Sequence, residues 1–282
     1  MLPATLRLGA VELTVSDLDR SIAFYQQALG LLLHSREAGT ATLGAEDEAV
    51  LMLVEQPEAA AAGQHAGIFH YALLYPSRVE LARAGQRVYE AHAPVSGASD
   101  HGTHEAIYLS DPDGIGIELA ADRPREAWPD VRSAEGYAAG PQPLDQQSLF
   151  GLLDGEHAPA QVEPGLRTGH LHLHVGDVER GLAFYRDVLG FELMVNLGTA
   201  AFVSAGGYHH HLGFNTWLGE GIGPTPPDTI GLRHWTVLLE NEQELEAVRE
   251  RLRAAGILIE PRERGFRVED PWRIAVAFET PA

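Results

Sequence analysis

Two stretches of the chain match at a fixed offset: "LTVSDLDRSIAFYQQALGL" from Leu13 and "LHVGDVERGLAFYRDVLGF" from Leu173. Leu, Val, Asp, Arg, Ala-Phe-Tyr and Leu-Gly recur at the same places in both. A repeat at fixed spacing indicates duplicated structural units, so a chain of 282 residues is restricted to folds assembled from copies of one small unit. Each copy opens with alternation: Val11, Leu13 and Val15 in one, Leu171, Leu173 and Val175 in the other. That is a strand with one face in a core. A helical period follows, with Leu18, Ile22, Tyr25 and Leu29 on one stripe. Asp17 or Asp177 caps the helix start, and Gly30 or Gly190 ends it. Three β-rich runs come next, near residues 31–34, 40–43 and 49–54, and again near 191–196, 200–204 and 210–215.

The unit is therefore β-α-β-β-β, an α+β pattern, and two weaker copies fit between and after the strong ones. "IFHYALLYPSRVELARAGQRVYEAH" from Ile68 closes with "AIYLSDPDGIGIELA", and "LRHWTVLLENEQELEAVRERLRAAG" from Leu232 closes with "VEDPWRIAVAFE". Four modules are expected at 1–56, 64–122, 167–218 and 229–282. Residues 123–166 read as a linker, long for a compact fold, with a short helix around "DQQSLFGLLDG".

Composition narrows the partners. Twenty basic against forty acidic side chains give a formal charge of −20, which repels phosphate backbones and anionic membranes, so neither nucleic acid nor membrane is an expected partner. The absence of cysteine removes disulfides, thiolate metal sites and cysteine nucleophiles together. No run approaches the length of a membrane span, and "MLPATLRLGAVEL" has no basic start before an apolar run. A soluble cytoplasmic protein is expected.

Strand parity then sorts the chemistry. With Leu171, Leu173 and Val175 under the helix, His170, His172 and His174 share the opposite face. In "YHHHLGFN", Leu212 and Phe214 take the helix side and leave His209, His211 and Gly213 on the other, unless a bulge swaps them. In "GIEL", Ile117 and Leu119 point to the core and Glu118 to the open face, and "FHY" begins a strand with His70. One such histidine is ordinarily a hydrogen-bonded polar residue; five on one face point to a site. Two neutral imidazoles and one carboxylate form the facial triad suited to non-haem Fe(II).

The repeated unit, "D-x-x-R-x-x-A-F-Y-x-x-x-L-G" and "DPDGIGIEL" resemble the vicinal oxygen chelate superfamily, which includes glyoxalase I, bleomycin-resistance proteins and extradiol dioxygenases. "GGYHHHLGFNTW", "FHYALLYPSRVELA" and "SDHGTHEAIYLSDPDGIGIELAADRP" resemble its catechol-2,3-dioxygenase-like subgroup. The resemblance implies that the modules pair into two cupped mixed sheets with helices outside. It also places metal ligands on a module's first strand, seven residues before the capping position, and on its last strand. Carried over, the first-strand positions are Ala10, His70, His170 and His234; the last-strand positions are Glu118, Gly213 and Ala275.

Pairing modules 3 and 4 would give His170 and His234 without a carboxylate. Modules 2 and 3 give His70, Glu118 and His170, a complete ligand set, and modules 1 and 4 become a structural half in which His234 and Glu12 leave a residual site open. The family's substrate-binding tyrosine stands ten residues before its glutamate ligand, the place of Tyr108 here. Its acid–base histidine falls within His209, His210 and His211: parity favours the first or last, the family spacing favours His210. His172 and His101 are the expected substrate contacts.

The activity so implied is extradiol cleavage of a small aromatic diol by O2, with Fe(II), or alternatively Mn(II) or another divalent metal. A homo-oligomer is left open. The alternatives are a glyoxalase-type isomerase or thiol transferase, which would want a fourth protein ligand where Gly213 stands, and a non-catalytic binding protein.

Overall fold

The computed structural model describes residues 1–138 and 141–281. Residues 139 and 140, inside the expected linker, and 282, at the end of the last expected module, lie outside the described residues. In chain order the first unit is β1 (Arg7–Leu8), β2 (Val11–Val15), α1 (Leu18–Leu29), β3 (Leu32–Glu37), β4 (Thr40–Gly44) and β5 (Ala49–Glu55). The second is β6 (Gly67–Leu74), α2 (Arg78–Glu90), β7 (Val95–Asp100), β8 (His104–Ser110) and β9 (Gly116–Asp122). A connecting stretch holds a 3-10 turn (Arg125–Ala127), α3 (Ala134–Ala138), β10 (Gln142–Pro143) and α4 (Gln146–Gly151). The third unit is β11 (Arg167–His174), α5 (Val178–Leu182) continued by a π-helical turn (Ala183–Val188), β12 (Glu192–Asn196), β13 (Ala200–Ser204) and β14 (Leu212–Asn215). The fourth is β15 (Gly231–Leu238), α6 (Glu242–Ala254), β16 (Glu260–Arg262), β17 (Gly265–Glu269) and β18 (Ala275–Glu279).

Local sequence accounts for these elements. In α1 the stripe of Leu18, Ile22, Tyr25 and Leu29 is buried, Asp17 accepts a hydrogen bond from the Arg20 amide, and Gly30 ends the helix at φ 72°. That left-handed φ is the reason for a glycine at this position. Asp177 caps α5 in the same way.

The strands form two mixed sheets. One runs β16-β17-β18-β15-β2-β5-β4-β3 with β1 beside β15; the other runs β10-β7-β8-β9-β6-β11-β14-β13-β12. Each sheet joins its two units through an antiparallel pair of first strands, β2 with β15 and β6 with β11. The second sheet is therefore built from one contiguous stretch of chain, and the first from the stretches on either side of it.

The halves are tied together by the repeated tyrosine. Tyr25 donates a hydrogen bond to Asp111 at 3.1 Å, and Tyr185 donates one to Asp270 at 2.8 Å. The other oxygen of each aspartate closes its own turn, accepting from the Asp113 and Ile115 amides or from those of Trp272 and Ile274. Burial lifts both carboxyls to about 6. Helix α1 also packs on α2, so a single contiguous apolar core runs through both halves.

Two expectations change. The third unit's last strand begins at Leu212, so His209 and His210 lie in the bend before it and alternation does not govern their direction. The stretch expected as a linker has more structure than one helix: α4 lies where "DQQSLFGLLDG" put it, and β10 adds a strand to β7. Val131 and Tyr137 of this stretch pack on Met194, Val195, Ala200 and Phe202. Among the described residues no helix is long and apolar enough to cross a membrane.

Candidate metal centre

β6 and β9 run parallel with His70 opposite Gly116 and Ala72 opposite Glu118, so His70 and Glu118 sit on one face. β11 lies on the other side of β6 and brings His170 and His172 to the same face. The result is a buried cluster around one carboxylate. Glu118 Oε2 is 3.1 Å from His70 Nε2 and 3.0 Å from His170 Nε2, while Oε1 is 3.0 Å from His104 Nε2. Glu118 is 1% exposed. Burial works to raise its carboxyl, but the charge of His170 and the hydrogen bonds from His104, His170 and His70 outweigh it, holding Glu118 well below the usual carboxylate range.

His70, Glu118 and His170 each offer one ligand atom, and the three lie within 4.8 Å of one another. Two imidazole nitrogens and one anionic oxygen suit a divalent transition metal and leave further coordination positions free. At Gly213, the last-strand position singled out in the sequence, a side chain would require Phe202 to shift. A Cβ there would meet the Phe202 ring at 2.9 Å and His172 Cδ2 at 3.3 Å. His101, His104 and Glu118 form a second close trio. In it His101 Nε2 lies 2.6 Å from the Tyr108 hydroxyl, while His104 turns Nε2 to Glu118 Oε1 and Nδ1 to Thr103 Oγ1 at 2.8 Å. Their rings stack at 4.6 Å. His104 is the buried residue that sequence reasoning passed over. Its signal was parity, since it stands four residues before Tyr108 on the same strand face.

Tyr108 lies directly opposite Glu118 in the β8–β9 pair and thus on the open face. Burial and then the Glu118 charge push its hydroxyl far up, so it stays protonated. Burial lowers His101 to about 4, against the pull of Glu118. His172 Nε2 accepts from Asn215 Nδ2 at 2.9 Å, and Asn215 Oδ1 lies 2.9 Å from His174 Nδ1.

The three consecutive histidines point three ways. His210 lines the cavity, its ring 4.3 Å from that of His170, and its Nδ1 is 3.0 Å from the Tyr137 hydroxyl and from His209 Nδ1. His209 stacks on His104 and pairs with Asp122 at 3.2 Å. His211 turns away, bonded to Ser204 Oγ at 2.9 Å and to the Ala205 amide at 3.2 Å.

Burial depresses His211 to about 3, so it is neutral in the fold at pH values where the unfolded chain carries a proton. The stability this contributes is complete above about pH 6.5 and is lost as pH falls towards 3, at roughly 1.4 kcal/mol per pH unit. His211→Asn keeps an acceptor there without the titration. The slope of unfolding free energy between pH 6 and 4, measured in urea, is expected to flatten by about that amount.

In the other half His234 Nδ1 is 3.4 Å from Glu12 Oε1. Glu12 falls to about 2: burial raises it, but the hydrogen bond and charge of His234, with help from Arg233, prevail. Among the described residues no third His, Asp or Glu donor joins this pair.

A cavity of about 480 Å³ opens over the cluster. His70, Glu118, His170, Tyr108, His101, His172 and His210 line it, as do Pro129, Val131 and Tyr137 from the connecting stretch.

Comparison with known proteins agrees with this architecture. A crystal structure from Bacillus subtilis subsp. subtilis str. 168 superposes with a TM-score of 0.66 at 12% identity, covering 97% of this chain and 84% of that one. Glyoxalase I from Zea mays gives 0.60 at 18% identity, covering 98% and 92%. In sequence, catechol-2,3-dioxygenase from Bacillus subtilis (strain 168) is 41% identical over 272 residues, 94% of this chain and 93% of that protein. The model of the Glyoxalase/Bleomycin resistance protein/Dioxygenase superfamily matches residues 7–119 and 167–278. Those two spans take in His70, Glu118 and His170, and the chain belongs to this superfamily.

Proposed function

We propose that the protein is a metal-dependent extradiol dioxygenase, adding both atoms of O2 to a catechol at the ring bond beside the diol to give a muconic semialdehyde. The observation that carries this is the buried convergence of His70, Glu118 and His170 beneath an open cavity. The 41% identity to a protein named catechol-2,3-dioxygenase supports it. These three residues would hold Fe(II), with Mn(II) or another divalent cation suited to the same donors. Such an ion supplies a Lewis-acidic, redox-active centre at which diol and O2 can meet.

The chain's own groups do the rest. His104 holds Glu118 Oε1 and so turns Oε2 towards His70 and His170. Tyr108 keeps its proton, and its hydroxyl donates a hydrogen bond to a catecholate oxygen. Burial keeps His210 neutral, so its ring can take the diol proton and return it as the ring opens. His209, backed by Asp122, and Tyr137 fix the orientation of His210. His211 has no place in this scheme because it faces away from the cavity. His101 and His172 complete the substrate-contacting wall. The setting we propose is cytoplasmic catabolism of aromatic compounds, on the module boundaries expected from the sequence, with modules 2 and 3 bearing the site. A glyoxalase-type isomerase is disfavoured because Gly213 cannot give way to a fourth ligand without displacing Phe202.

The test is oxygen uptake with catechol by protein reconstituted with Fe(II) without air. Uptake should stop on chelation and return with added Fe(II). Protein with a full complement of metal that consumes no oxygen on any catechol would overturn the reading.

A further inference from the structure

The cavity over the proposed site divides by polarity. Its polar groups are gathered in the His–Glu cluster with Tyr108, His210 and the Tyr137 hydroxyl, whereas Pro129, Val131, Phe202, Leu197 and Trp217 form an apolar wall that meets the cluster at the His172 ring. No cation lines that wall. The chain contains no lysine, so arginine is its sole fixed cation, and the arginines nearest in sequence are committed elsewhere. Arg132, next to Val131, bonds Glu192 Oε2 at 2.9 Å and is 61% exposed; Arg123 pairs with Asp100 and Glu105.

The mouth is apolar as well. Trp217 is 56% exposed, Leu197 40% and Phe69 39%, and the Phe69 and Trp217 rings meet edge-on at 5.7 Å. Large apolar side chains left in water at the rim of a cavity mark a surface that a ligand covers. The volume points the same way. About 480 Å³ lies within the range of roughly 300–1,000 Å³ typical of sites for drug-sized ligands, and a bare dihydroxybenzene would leave much of the wall without contact.

We propose that the substrates are catechols bearing an apolar ring substituent, alkyl or aryl, and that ring carboxylates are rejected, with Leu197, Phe202 and Trp217 setting this preference. The proposal rests on the dioxygenase reading for its chemistry. An apolar substituent gains by leaving water for this wall. A carboxylate in the same place loses its hydration and finds no fixed cation on that wall to offset the loss.

The test compares 4-methylcatechol and 3-phenylcatechol with 3,4-dihydroxybenzoate in two assays. Oxygen uptake by the iron-loaded enzyme gives kcat/KM. Equilibrium binding without oxygen is followed by tryptophan fluorescence, with Trp217→Phe as control. The expected result is a kcat/KM for the apolar catechols about 100-fold or more above that for the carboxylate, the scale at which a site leaves a polar group unpaired. Leu197→Arg should narrow the gap by about tenfold. Equal binding and turnover of both classes overturns the proposal. Selective binding of the apolar catechols with no uptake on any of them overturns the dioxygenase reading and leaves the substrate class standing.

Discussion

Glu118→Gln is expected to leave a folded protein that no longer retains a metal ion, with oxygen uptake on catechols reduced more than about 100-fold. The change preserves shape and removes the charge that two candidate ligand histidines and His104 all face. Losing only an outer hydrogen bond to a ligand costs some 10–100-fold in affinity. His104→Gln should therefore fall within that range, and Glu118→Gln beyond it. Metal analysis of the purified variants separates the two, and far-ultraviolet circular dichroism checks the fold. Metal retained at wild-type levels by Glu118→Gln, or a crystal showing metal between His170 and His234, would refute the ligand set.

The second large effect concerns the three consecutive histidines. His210→Ala is expected to bind metal normally and to lose about 10²–10⁴-fold in kcat, the range for a missing general acid–base group. His209→Ala should fall between that variant and wild type, because His209 acts on His210 through one hydrogen bond. His211→Asn should turn over like wild type, since its partners are Ser204 and Ala205 behind the cavity wall. Steady-state oxygen uptake across the three variants ranks them. A loss in His211→Asn as large as in His210→Ala would sink the assignment.

What could be read in advance followed from regular backbone. Alternation in β9 and β11 told which face Glu118, His170 and His172 would take, because a strand turns each successive side chain to the opposite side. The helix caps at Asp17 and Asp177 were equally plain. Alternation failed at His209 and His210, where the chain bends before β14 starts. On β8 alternation puts His104 and Tyr108 on one face, but no pattern in that strand says which of its faces is open. Tyr137 had no such signal. It reaches the cavity from a stretch without period, and only packing against Phe202, 4.4 Å between ring centroids, places it there. Which units share a sheet is a long-range matter that no local pattern encodes. The ligand inventory carried over from the family resemblance was what pointed to modules 2 with 3 and 1 with 4, the pairing the sheets have.

The nesting of one sheet's sequence inside the other's affects how the chain comes to be folded during synthesis. Leu13 of β2 finds its neighbour in Leu232 of β15, and every strand of the histidine-bearing sheet is translated between them. As the polypeptide leaves the ribosome, that inner sheet can be complete while β2 still shows a bare edge. Bare edges invite pairing with other chains, and contacts this distant along the chain form slowly. The half that lacks the ligand cluster thus works as a clasp, shut last, and a nascent chain stalled before β15 would expose the edge of β2 to aggregation.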